Sequence, residues 1–215
     1  MILRTDKINF NQEKNMKLTK IISLGMAVLL ALFALSCGST GGAAGGGKGM
    51  SWDFSDPEAG TQGWQLARSE FYMYSGSVAL NRDDATFGKG LLKLDVDFSG
   101  AKDFDWSEPK LFLDFPRAMN MRGLSFFNFD FYYNPSLRTE GSFSTKIFTN
   151  NNGILVDSSK AIPAGEAVSG TPYYKSEVSV MIMPTNGFMT DMRFSIVGNF
   201  TNYKGPVFIG NMRWE

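Results

Sequence analysis

Hydrophobic and polar residues alternate with a period of two over most of the chain beyond residue 90. In residues 90 to 98 (GLLKLDVDF), Leu92, Leu94, Val96 and Phe98 share one parity and Lys93, Asp95 and Asp97 the other. Successive side chains of a strand point to opposite faces, so this is the pattern of a strand with one face buried. The same alternation predicts strands over residues 109 to 115, 123 to 134, 174 to 183, 190 to 198 and 205 to 214. Turn residues fall between the apolar runs at Asn81 to Asp84, Ser99 to Lys102, Asn134-Pro135, Asn150 to Gly153, Pro184 to Gly187 and Asn202 to Pro206. No stretch of this region combines helix caps with an apolar stripe. About ten strands at this spacing predict an all-β domain, a two-sheet sandwich with jelly-roll wiring. No internal repeat is visible.

The start of the chain breaks that rhythm. Residues 21 to 36 (IISLGMAVLLALFALS) carry no charge and follow Met16, Lys17 and Lys20, the order of basic start, apolar middle and small residues that marks a secretory signal. A spanning helix needs about twenty apolar residues. Met16 is the expected start, with residues 1 to 15 an artefactual extension. The apolar run ends at Ala34-Leu35-Ser36-Cys37, which resembles the lipobox of bacterial lipoproteins, with Ala34 where that family usually has leucine. The resemblance implies that Cys37, the single cysteine, is acylated and becomes the first residue after cleavage. Acyl chains contribute about 0.8 kcal/mol per buried CH₂, and stable anchoring takes more than one chain. Residues 37 to 51 are then a lipidated cysteine and a glycine-rich tether with a root-mean-square reach of about 20 Å, and residues 52 to 215 form the β-sandwich domain. Export and lipid anchoring to the cell envelope or outer membrane are expected.

Charge and composition narrow the chemistry. Five of the 21 basic and two of the 21 acidic residues precede Cys37, leaving 16 against 19 from there onward, a net charge of −3. No basic surplus points to nucleic acid. The chain has no histidine, and one cysteine admits no internal disulfide, so Ser-His-Asp, Cys-His and His-ligated metal chemistry are excluded. Carboxylates remain. Asp95 and Asp97 point the same way on one strand and Asp130 and Asp114 could join them, which leaves a glycoside hydrolase or lyase open as a reading. Hydrolysis of a glycosidic bond requires carboxyl pairs about 5 to 9.5 Å apart.

Two stretches carry a resemblance, WDFSDPEAGTQGW at 52 to 64 and IVGNFTNYKGPVFIGNMRWE at 196 to 215. They resemble the opening and the last two strands of sandwich-type carbohydrate-binding modules, with those attached to bacterial mannanases, the family 27 type, the nearest in pattern. This implies a galactose-binding-like jelly roll and a polysaccharide or oligosaccharide partner, β-mannan among them. It also implies a structural calcium, for which Asp53, Asp56 and Glu58 are the candidate ligands. The family's final-strand aspartate is replaced here by Gly210. Calcium takes six to eight oxygens, so a missing carboxylate weakens such a site.

Sugar rings expose apolar faces rimmed by hydroxyls, which favours flat aromatic rings beside hydrogen-bonding groups. Trp106, in the acidic segment KDFDWSEP, and Trp64, after a glycine at the first turn, are the candidate stacking residues. Tyr72 and Tyr74 share one parity of an aromatic run, and Arg68 offers paired donors. Trp52 and Trp214, on the first and last strands, are expected in the core or at a sheet edge. The expected function is non-catalytic capture of a glycan by a monomer that needs no cofactor, calcium being an optional structural ion. The alternative is a structural or adhesive envelope lipoprotein that binds protein.

Overall fold

The computed structural model describes residues 49 to 67, 78 to 99 and 106 to 215, which hold thirteen strands, two single 3-10 turns and no α-helix. In chain order the strands begin with β1 (Ser51–Trp52), β2 (Gln65–Leu66), β3 (Val78–Asp83), β4 (Leu91–Asp97), β5 (Trp106–Ser107), β6 (Lys110–Asn120) and β7 (Phe126–Tyr133). They continue with β8 (Ser142–Asn151), β9 (Ile154–Ala161), β10 (Glu166–Ala167), β11 (Tyr174–Met181), β12 (Phe188–Asn199) and β13 (Lys204–Trp214). All pairings are antiparallel. One sheet runs β10-β11-β7-β13-β4-β3 with β1 added to β13, and the other runs β2-β6-β12-β8-β9 with β5 added to β12. The chain changes sheet after β1, β2, β4, β6, β7, β9, β11 and β12, which is the jelly-roll wiring expected from the strand rhythm.

Alternation sets which side chains meet between the sheets. From the first sheet come Leu92, Leu94 and Val96 of β4, Phe127, Phe129 and Phe131 of β7, and Ile209 of β13; from the second come Leu111 and Leu113 of β6, Ile147 of β8, and Met192, Phe194 and Ile196 of β12. The centre is aromatic. Trp64 meets Trp52 edge-on at 5.5 Å between ring centroids and Phe194 at 6.3 Å, and Phe194 meets Phe129 at 4.8 Å. Phe127 joins this group to Trp214 at 5.4 Å. Edge-to-face pairs of this kind add about 0.5 to 1.5 kcal/mol each beyond the area they bury. Trp52 and Trp214 therefore lie in the core, as their place on the first and last strands leads one to expect.

Three expectations need correction. Asn81 to Asp83 extend β3 instead of forming a turn, because Arg82 donates from Nε to the Phe54 carbonyl at 2.9 Å while Asn81 pairs in register with Lys93. β8 and β9 were absent from the strand pattern: their inward positions include Thr145 and Thr149 on β8, which blur an apolar alternation. Their hairpin closes through Asn152 and Gly153, both left-handed (φ 50° and 91°), the conformation of a two-residue turn whose twist matches the strands. Lys204 to Pro206 already belong to β13.

Phe194 has no exposed surface and touches Phe127 and Phe129 of the facing sheet and Trp64 of the first turn. Phe194→Ala is expected to cost about 3 to 5 kcal/mol of folding free energy, read from the midpoint of urea unfolding at unchanged slope.

Candidate functional site

The two outward faces of the sandwich differ in what covers them. On the seven-stranded sheet, Leu91, Tyr132 and Phe208 point outward, yet each is 2% exposed or less because Phe87, Val168 and Tyr173 from the connecting loops pack over them. Lys89 donates to the Tyr132 hydroxyl at 2.9 Å and seals the same cap. What stays open on that sheet is a polar groove of about 180 Å³ lined by Asn128, Asp130, Glu177, Ser179, Asn211 and Arg213. Its charges are paired internally: Lys175 lies 3.2 Å from Asp130 and 2.8 Å from Glu177, and Asn128 donates to Glu215 at 3.0 Å.

The six-stranded sheet presents the more accessible face. Its register aligns Gln65, Phe112, Arg193, Phe148 and Asp157 in one row across β2, β6, β12, β8 and β9. These are outward positions, since Leu111, Leu113, Phe194 and Ile147 beside them fill the core. The next row is Lys110, Ser195, Lys146 and Ser159. Lys110 and Lys146 place their ammonium groups 4.6 and 4.8 Å from the Phe148 ring centroid, within cation–π range. Glu108 accepts from the Ser195 hydroxyl at 2.9 Å and pairs with Lys110 at 3.3 Å, while Lys146 pairs with Asp157 at 3.4 Å. On the other side of the aromatic row, Asp114, Asp191 and Asn150 align, and Asn150 donates to Asp191 Oδ2 at 2.6 Å. Asp191 Oδ1 is buried with no hydrogen-bond donor, and Arg193 Nε stands 4.0 Å from it. The result is a strip of two half-buried phenyl rings with a guanidinium between them, bordered by lysines, carboxylates and amides held in place by one another. Such a strip offers apolar contact and directed hydrogen bonds together.

The candidate residues distribute unevenly over this geometry. The backbone of Trp106 pairs with Asn199, which in turn pairs with Ser142, at one end of the same sheet. Trp64 is 1% exposed, so its ring plugs the core under the sheet and cannot stack on a ligand. Arg68, Tyr72, Tyr74 and Cys37 lie outside the described residues. Phe112, Phe148 and Arg193 were missed. The signal was present for Phe112, an aromatic at the polar parity of its strand; Phe148 sits on β8, whose alternation the threonines conceal.

The calcium ligands do not converge. Asp53 Oδ1 accepts from the backbone N–H of Ser55 at 3.0 Å and from its hydroxyl at 2.9 Å, and the backbone bond is the main reason its carboxyl sits below the usual range. Asp56 Oδ1 accepts from the Glu58 N–H at 2.9 Å. Among the described residues no three acidic, cysteine or histidine side chains group as metal ligands. At position 210 a Cβ would come within 2.3 Å of Leu91 Cδ2, so a larger residue there requires the Leu91 side chain to move.

The carboxylates raised by the hydrolase reading are also separated. Asp114 is on the outer face of the six-stranded sheet and Asp95, Asp97 and Asp130 are on the seven-stranded one, with the core between. Asp95 pairs with Pro206 and Asp130 with Gly210, four residues apart along β13, or about 13 Å. Asp97 is held at a pKa of about 2 by its hydrogen bond from the Ser99 hydroxyl and by Lys204 at 2.9 Å, and so has no proton to donate near neutral pH.

The architecture has close counterparts among solved structures. A family 27 carbohydrate-binding module described for specific mannan recognition matches with a TM-score of 0.59 at 20% identity, over 77% of this chain and 94% of its own. A Caldicellulosiruptor saccharolyticus family 27 module solved with mannohexaose matches at 0.61 and 18% identity, over 78% and 97%. A family 28 module specific for non-crystalline cellulose matches at 0.57 and 23% identity, over 72% and 88%. At these identities the likeness establishes the fold. No protein-family model and no curated protein sequence matches the chain.

Because the folded-state pKa of Asp97 lies below its ordinary value of 3.8, its ionised form stabilises the fold above about pH 4, and this contribution is lost as pH falls from about 4 to about 2. Thermal midpoints followed by circular dichroism over that range are expected to fall less steeply for Asp97→Asn than for the unaltered protein.

Proposed function

We propose that the domain binds a polysaccharide or oligosaccharide without transforming it, along the outer face of the six-stranded sheet, and that Cys37 holds it at the cell envelope through acyl chains. The observation that carries this reading is the five-strand row Gln65, Phe112, Arg193, Phe148 and Asp157. Phenyl rings receive the apolar faces of successive sugars, and Arg193, Gln65 and Asp157 meet their hydroxyls. Trp106, whose backbone lies at one end of the same sheet, is the further residue proposed to stack on the ligand. The three ammonium and guanidinium groups on this face each have a carboxylate neighbour within 4.0 Å, which suits hydroxyl-rich ligands. The fold shared with modules solved for mannan, mannohexaose and cellulose supports a β-linked glycan, and β-mannan is the first to try.

Affinity gel electrophoresis with mannan, xylan and β-glucan is the direct test. Retardation by at least one of them is expected, and Trp106→Ala, Phe112→Ala and Arg193→Ala should each weaken binding about tenfold, the equivalent of about 1.4 kcal/mol. Migration unaffected by every polysaccharide would overturn the proposal and favour a protein-binding envelope lipoprotein.

A further inference from the structure

Eight large apolar side chains are exposed among the described residues, and five of them, Phe126, Ile154, Leu155, Met181 and Met183, belong to one end of the sandwich, at 43% to 65% exposure. Phe126 and Met181 face each other in register at the start of β7 and the end of β11. Met183 follows in the connection to β12, whose turn at Thr185–Gly187 packs against β8 and β9 where their hairpin carries Ile154 and Leu155. The other three, Leu137, Tyr174 and Phe200, lie at the opposite end. An unpartnered cluster of this kind on a small domain marks an interaction surface more often than chance exposure.

The path of the chain says what this end meets. Trp214 donates its N–H to the Met50 carbonyl, and Ser125 and Phe126 both donate to the Glu215 carbonyl. Met50 is therefore two strand spacings from Phe126 and three from Met181, about 10 and 14 Å. The described chain thus enters the domain at Met50, beside the apolar cluster. Cations border it: Lys160 donates to the Ser179 carbonyl in a groove lined by Phe126 and Met181, and the Arg122 guanidinium lies over the Phe188 ring at 5.5 Å.

We infer that this end of the sandwich is a docking surface for a lipid bilayer, resting on the reading of Cys37 as an acyl anchor. Phe126, Met181, Met183 and the Ile154-Leu155 hairpin enter the boundary between headgroups and acyl chains, while Lys160 and Arg122 extend to anionic headgroups. The surface needs little affinity of its own, because a tether of about 20 Å reach confines the domain to the membrane and converts docking into an intramolecular step. Docked this way, the domain stands with its strands rising from the bilayer and the proposed glycan face clear of it.

The acylated full-length protein, reconstituted into vesicles of phosphatidylethanolamine and phosphatidylglycerol, separates the two readings. Flotation with the vesicles reads the anchor. A nitroxide on Met183→Cys reads docking, with Phe200→Cys as the label at the far end; Cys37 is the chain's single native cysteine and is blocked by acylation. The expected result is flotation, with the label at 183 several-fold more accessible to oxygen than to a water-soluble nickel complex and the label at 200 showing the reverse. Adding Met181→Lys should return the label at 183 toward water. Flotation with both labels in water overturns docking and leaves the anchor standing. Failure to float overturns the anchor and docking with it. Spin–spin broadening at 183 that persists without lipid would assign the surface to a second copy of the chain and also overturn docking.

Discussion

The contact of aromatic rings between the two sheets is what the rest of the molecule depends on. With a single cysteine the chain forms no internal disulfide, and its described acidic side chains make no metal-ligating group. The sandwich is held by burial. Trp52, Trp64, Phe127, Phe129, Phe194 and Trp214 come from β1, the first turn, β7, β12 and β13, so elements far apart in sequence are bound at one place. Once these rings face inward, period-two geometry directs every neighbouring residue outward. The register of Phe112, Arg193 and Phe148 on the outer face is thus a consequence of Leu111, Phe194 and Ile147 being inside. A slip of one residue in β12 would exchange Phe194 for Arg193 and remove both the core and the strip.

The two outer faces follow different rules from that common core. The seven-stranded sheet is treated partly as a second interior, with Leu91, Tyr132 and Phe208 roofed by loop side chains. The six-stranded sheet has a face of half-exposed rings kept upright by ionic neighbours. Phe148 shows how: ammonium groups from β6 and β8 lie against its ring, and each of those lysines is restrained by a carboxylate. A ring restrained in this way loses less freedom on meeting a ligand, which is the physical basis of preorganised recognition.

Strands whose inward positions are all large and apolar were legible in the sequence, and β4, β7 and β12 are the plain cases. β8 was not, because Thr145 and Thr149 occupy inward positions where the Thr145 hydroxyl is satisfied by the Ser195 carbonyl, a pairing no local pattern reveals. Trp64 looked like a ligand contact by its position after a glycine, and its ring instead closes the core against Trp52. The rings described on the outer face of the six-stranded sheet, Phe112 and Phe148, are phenylalanines at polar parity, inconspicuous in a chain with 19 of them. Asp53 and Asp56 read as ion ligands by type, but each is occupied by the N–H groups of its own turn, a local competition that sequence spacing alone leaves open.

The bond from the Trp214 N–H to the Met50 carbonyl brings the first and last strands of the described domain side by side. A short linker would bridge them without disturbing either sheet. New ends opened at the exposed Asn152-Gly153 hairpin tip would then yield a circularly permuted domain with the same core. Modules built this way can be spliced into a loop of another protein as easily as hung from its terminus.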